Sequence, residues 1–119
     1  MKYLLLTTML LISLNSFSQS CDELMEYVKS KSYGTTYHSY TSTAISKVTF
    51  YDLTIDYNSY YFAIVCFKGN GYSCSEYIYQ VSSSTKLYYS MNYLESAGKA
   101  FWEYIQPYNE TLNCAPNFN

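Results

Sequence analysis

Four cysteines, one histidine and nine acidic side chains are the reactive groups of this 119-residue chain. Structural zinc needs Cys-x-x-Cys near a second ligand pair. Cys21, Cys66, Cys74 and Cys114 are too widely spaced for that, and His38 is the sole imidazole. His38 stands between Tyr37 and Ser39 in a polar stretch and reads as a surface residue rather than a general base. A cysteine nucleophile beside it would need a free thiol, which disulfide pairing removes. Hydrolysis by paired carboxylates needs two acids across one cleft with separated pKa values. Asp52, Asp56, Glu76, Glu95 and Glu103 instead fall where solvated faces are expected. Ser96-Ala97-Gly98-Lys99 is an anion-binding candidate, offering free amide N–H groups at a helix start plus an ammonium group, although the adjacent Glu95 opposes it. No cofactor, metal or catalytic constellation is implied, so the chain reads as non-enzymatic.

The compartment follows from the first residues. Lys2 precedes an uncharged, largely apolar run over 3–14, and Ser16 and Ser18 occupy the small-residue positions of a cleavage site. This is the pattern of a secretory signal peptide over 1–18, cut after Ser18. The run of about twelve residues is too short for a bilayer, which needs about 20. The remainder, 19–119, is expected to be one exported domain, secreted or periplasmic. A lipid anchor on Cys21 is the weaker reading. Ser18-Gln19-Ser20 lacks the leucine of a lipobox, and acylation would leave an odd number of cysteines for an oxidised domain.

The formal net charge is −2 and there is no arginine. Phosphate backbones are gripped by Lys and Arg displacing counterions, with Arg supplying bidentate contacts, so nucleic acid is not the expected partner. Seventeen tyrosines accompany six phenylalanines and one tryptophan. Such rings fill a small β-rich domain by burying the ring body and wetting the hydroxyl. They also recur at binding surfaces.

The elements that must position these groups are legible from periodicity. Residues 22–32 place Leu24, Tyr27 and Val28 on one side of a short helix, acids first and lysines last, with Gly34 as its stop. The stretch 35–43 is an edge strand or an ordered loop, and 44–53 alternates imperfectly, as a strand with a bulge does. Residues 56–59 supply a turn, and 60–67 are nearly all apolar, the mark of a strand covered on both faces. A further alternating strand covers 75–81, and 82–86 reads as a polar connection. A final helix starts at Asn92 or Ser96 and ends at Pro107. It carries a stripe of Leu94, Ala97, Phe101, Tyr104 and Ile105 that should lie across the sheet. The fold class is therefore α+β: a small antiparallel sheet of three to four strands packed by a C-terminal helix, with a short N-terminal helix. Asn109-Glu110-Thr111 matches a glycosylation sequon in an expected exposed turn.

Four cysteines allow three connectivities. If Gly69-Asn70-Gly71 is a three-residue loop with Gly71 left-handed, Lys68 faces Tyr72 and Cys66 faces Cys74 on one side of the sheet. If Asn70-Gly71 alone makes the turn, Cys66 faces Ser75 and the two sulfurs point to opposite faces. The first register predicts Cys66–Cys74, which leaves Cys21–Cys114 to tie the two ends of the exported domain.

The succession Ser42-Thr43-Ala44-Ile45, Tyr77-x-Tyr79-x-Val81 and Ser96-x-Gly98-Lys99-x-Phe101 resembles the KTSC domain family over residues 42–108. The family is named from its occurrence at the end of some lysyl-tRNA synthetases. The resemblance implies a small sheet with a C-terminal helix and carries no established activity. Here Cys66 and Cys74 are extra, the segment between the first two strands is longer than the family's compact turn, and helix 22–32 lies outside the match. A nucleic-acid role suggested by the synthetase context does not suit an acidic, arginine-free, exported chain. The expected function is a non-enzymatic, disulfide-stabilised module that binds a protein, peptide or glycan through exposed aromatic side chains. An enzyme with an unrecognised site and a structural or inhibitory protein acting through an edge strand are the alternatives.

Overall fold

The computed structural model describes residues 17–69, 71 and 73–116. The signal peptide expected over 1–18 lies, for residues 1–16, outside them. Helix α1 (Phe17–Lys31) leads into four strands, β1 (Thr35–His38), β2 (Ile45–Ile55), β3 (Asn58–Lys68) and β4 (Cys74–Val81). Helices α2 (Thr85–Asn92) and α3 (Ala97–Tyr104), a 3₁₀ turn (Gln106–Tyr108) and the short α4 (Asn109–Leu112) follow. The strands form one antiparallel sheet in the order β1-β2-β3-β4, a meander of local connections. This is an α+β fold with helices before and after the sheet in the described sequence. Among the described residues no helix is long and apolar enough to cross a membrane.

Strand β3 is the centre of the packing because both of its faces are covered. Ala63 and Val65 join Val48, Phe50, Tyr79, Tyr89, Ala100, Phe101 and Ile105 in one cluster, beneath α2 and α3. Phe62 and Ile64 join Leu53, Ile78 and Val28 in the other, beneath α1. Strand residues alternate faces with period two, yet Ile45, Val48 and Phe50 share the first cluster. The register shift between Ile45 and Lys47 accounts for this: one extra residue in β2 reverses the alternation. The C-terminal segment follows the β4 side of the sheet, with Leu112 and Cys114 against one cluster and Tyr108 and Ala115 against the other. Cys114 is thereby brought to Cys21 on α1, and the two are disulfide-bonded.

Several expectations are corrected. The β2–β3 turn comprises only Asp56 and Tyr57, both at positive φ (51° and 68°), and Asn58 and Ser59 already belong to β3. Two positive φ values give a turn whose twist matches the strands. Helix α1 begins at Phe17 rather than Asp22. The connection expected over 82–86 already contains the start of α2: Thr85 is buried, its hydroxyl accepts the Ser82 N–H at 3.1 Å, and Tyr89 one turn on is buried too. Asn92 closes α2, its amide donating to the Tyr88 carbonyl, so Ser96 is the cap of the next helix, α3. Leu94, between the two helices, is 81 % exposed and drops out of the predicted stripe, while Ala97, Phe101 and Ile105 are buried. The sequon residue Asn109 opens α4 with its Oδ1 buried, not in an exposed turn.

Cys66–Cys74 also forms, but in a different register. Lys68 pairs with Cys74 and Cys66 with Glu76, and the Gly69 N–H donates to the Ser73 carbonyl, so the register is displaced by two residues and the connection covers 69–73. A shift of two keeps every side chain on its face. The cysteines become diagonal neighbours with Cα atoms 5.4 Å apart, within disulfide reach. Gly71 is left-handed, at φ 76°.

Gly34 makes a tight approach to the sheet. A Cβ there would come within 2.7 Å of the Tyr51 ring and would also strike the Thr49 methyl group. The Thr49 side chain is held by its hydroxyl, 2.9 Å from that of Thr36. Gly34→Ala is expected to cost about 1–2 kcal/mol through this overpacking, measured as a lowered urea midpoint with unchanged m-value.

Candidate functional site

An open cleft of about 430 Å³ separates two short connections, residues 38–44 between β1 and β2 and residues 93–98 between α2 and α3. Each wall is ordered by its own hydrogen bonds. On the first, the Ser42 hydroxyl accepts the N–H groups of Ala44 (3.3 Å) and Ile45 (3.1 Å), and the Ser42 N–H donates to the Ser39 carbonyl. This is the side chain-to-backbone bonding by which serine stabilises turns. Lys68, at the end of β3, donates its ammonium protons to the carbonyls of Tyr40 and Ser42 and its backbone N–H to the Ala44 carbonyl.

On the second wall Ser96 is extended and caps α3, its hydroxyl accepting the Lys99 N–H at 3.2 Å. The first helical amides have no intrahelical acceptor, and those of Ala97 and Gly98 find none among the described residues. Ser96→Ala is expected to cost about 1 kcal/mol and to lower Tm by about 4–8 °C, read by calorimetry.

The groups singled out in the sequence are only partly brought together. Ser96 and Gly98 line the cleft, but Lys99 lines a separate groove with Asn92, Glu95 and Glu103. One residue is a rotation of about 100° on a helix, so adjacent Gly98 and Lys99 serve different surfaces. The anion candidate keeps its amides without the lysine, and Glu95 enters the same cleft. His38 also lines it, with its ring stacked on Tyr40 (centroids 5.6 Å apart, planes within 8°). No hydrogen bond or ion pair joins His38 to Glu95 among the described residues, whose one ion pair is Lys29–Glu76 at 2.8 Å. Glu76 is therefore engaged rather than merely solvated, while Asp52, Asp56, Glu95 and Glu103 are exposed. No group of three His, Cys, Asp or Glu that could hold a metal occurs among the described residues.

Both disulfides bear on the chemistry. Cys21 lies within α1 with its sulfur bonded to Cys114, so the folded domain offers no thiol there for acylation or for attack with His38. Cys66 and Cys74 are likewise spent.

Beneath the cleft wall two hydroxyls are buried. Burial pushes the Tyr89 phenol up to about 12, and the neighbouring Ser39 hydroxyl offsets part of that rise. The approach falls outside hydrogen-bond geometry, and neither oxygen has a partner among the described residues.

Most tyrosines serve packing. Tyr79 and Tyr89 are buried, and Tyr37, Tyr61, Tyr77, Tyr93, Tyr104 and Tyr108 pack against the core. Of the exposed ones, Tyr27, Tyr33 and Tyr57 lie on separate elements, Tyr88 stacks on Tyr104, and Tyr40 stands at the cleft, 84 % exposed. Sequence reasoning missed the Lys68 clamp and the His38–Tyr40 stack. A lysine closing a strand gives no sign of which distant carbonyls it meets. The alternation of His38 and Tyr40 was the only available signal for the stack, since residues two apart on an extended chain share a side.

The chain matches no protein-family model, no curated protein and no solved structure.

Proposed function

We propose that this domain is an exported, non-catalytic binding module with the cleft between residues 38–44 and 93–98 as its ligand site. The observation that carries the reading is a preformed cleft: both walls are held by internal hydrogen bonds, while the Ala97 and Gly98 amides and the Tyr40 ring remain unengaged by the fold or exposed. Preordered walls reduce the ordering cost of binding, and a few placed polar groups beside an aromatic surface are the usual makeup of a small-ligand site. Two disulfides are consistent with an oxidising compartment. A KTSC-like core is part of the same proposal, supported by the order of the Ser42-Thr43-Ala44-Ile45 and Ser96-x-Gly98-Lys99-x-Phe101 stretches, whose first residues flank the cleft from opposite walls.

The test is capture of material from the producing cell's envelope and medium on the immobilised protein. Tyr40→Ala is expected to lose the bound component and Tyr57→Ala, at the far hairpin tip, to retain it. Equal capture by the two variants would remove the cleft from the function.

A further inference from the structure

We infer that the cleft takes a neutral, hydroxyl-rich ligand, an oligosaccharide, with one sugar ring laid on Tyr40. This rests on the cleft being the ligand site. A sugar ring presents a C–H face and an edge of hydroxyls, so its site needs an aromatic face for the first, and donors and acceptors together for the second. The negative face of an aromatic ring attracts partially positive hydrogens. Tyr40 supplies such a face: His38 backs it in a parallel stack, and at 84 % exposure its other side is open. The loop that carries the ring is fastened by Lys68 and Ser42, so the face is held in place before a ligand arrives.

The polar complement is of mixed sign. Ala97 and Gly98 offer amide donors, and Glu95 offers a carboxylate that accepts from hydroxyls. The hydroxyls of Ser42 and Ser96 already accept from backbone amides, and each retains its own proton to donate. An anion would meet Glu95 without Lys99, which serves the neighbouring groove. An extended peptide is read through alternating backbone N–H and C=O groups, but the carbonyls of Ser39, Tyr40, Ser42 and Ala44 are all engaged, by the Ser42 N–H, by the Lys68 ammonium and by the Lys68 N–H. At least four of the seven carbonyls over 38–44 are thus taken, which interrupts the row of acceptors that an extended peptide would need along this wall.

The experiment is titration of the ¹⁵N-labelled, disulfide-bonded protein with chitotetraose, cellotetraose, maltotetraose and mannotetraose, then with inorganic phosphate and a capped threonine-valine hexapeptide. At least one oligosaccharide is expected to shift the Ala97 and Gly98 amide signals saturably. Tyr40→Ala should weaken that binding at least tenfold and Glu95→Gln several-fold, with signals from β3 unmoved as the check on folding, and Tyr57→Ala should leave affinity unchanged. Shifts with phosphate or the hexapeptide but with none of the four oligosaccharides would overturn the ligand class while leaving the cleft as a binding site. Silence of the cleft amides with every probe, together with undiminished capture by Tyr40→Ala, would overturn both.

Discussion

Replacing Cys21 and Cys114 together by alanine is expected to remove about 4.7 kcal/mol of stability, against about 2.5 kcal/mol for Cys66 and Cys74. Both figures follow from loop closure in the unfolded chain, with sequence separations of 93 and 8. The larger loss approaches the whole stability of a marginal domain, about 5–15 kcal/mol. Its structural expression should be local first, because α1 has little else to hold it. Val28 is its one fully buried side chain among those described, Leu24 and Met25 are half-buried, and the Lys29–Glu76 pair is part-exposed. Surface pairs contribute about 0–1 kcal/mol. Urea denaturation should rank the two double variants in this order. Hydrogen exchange should show α1 losing protection while β2 and β3 keep theirs. A smaller loss for the Cys21/Cys114 variant than for the Cys66/Cys74 variant, or an α1 still protected to the global limit, would contradict this.

The second large effect is alkaline unfolding. Burial raises the phenols of Tyr79 and Tyr89 well above the ordinary value of 10, that of Tyr89 to about 12 and that of Tyr79 further. Above pH 10 the unfolded chain has released protons that the folded chain still holds, so stability falls as pH rises; below pH 10 neither group contributes a slope. One retained proton corresponds to about 1.4 kcal/mol per pH unit, so the pair should cost about 2.7 kcal/mol per unit from pH 10 towards the folded values. Far-ultraviolet circular dichroism should therefore be lost in one steep transition, and the share of the phenolate absorbance at ~295 nm that comes from Tyr79 and Tyr89 should appear with it. Tyr89→Phe should halve the slope. At neutral pH it should cost less than about 0.5 kcal/mol or stabilise, because the hydroxyl it removes is buried without a partner. A large loss at neutral pH would mean that the hydroxyl is bonded in solution.

Much of the scaffold was legible in the residues themselves. The unbroken apolar character of 60–67 announced a strand buried on both sides, and Phe62 through Cys66 are buried in succession. The broken alternation near Ile45 announced the bulge. Helix α2 was hidden because the residues that anchor it are Thr85 and Tyr89, a polar and an amphipathic side chain, while Leu87 and Met91 face outward. A periodicity test counts apolar side chains and is misled when the inward face carries hydroxyls.

The cleft shows where such reading ends. Residue spacing offered Asn92 and Ser96 as alternative caps and the 96–99 helix start as a source of free amides, since capping depends on neighbours three residues away; the structure chose Ser96. Only the tertiary structure decided that residues 38–44 lie opposite that helix start, that Lys68 fastens that wall and that Lys99 turns to another groove. The disulfides divide in the same way. Of the two turns considered, the three-residue loop has the parity that sets Cys66 and Cys74 on one face, and that parity survives a register shift of two residues, with Cys21–Cys114 following by elimination. The register itself, with Cys74 opposite Lys68, depended on where the loop around Gly71 closes. Local sequence dictates which face a side chain takes. Which distant segment comes to lie against that face is set by packing of the whole chain.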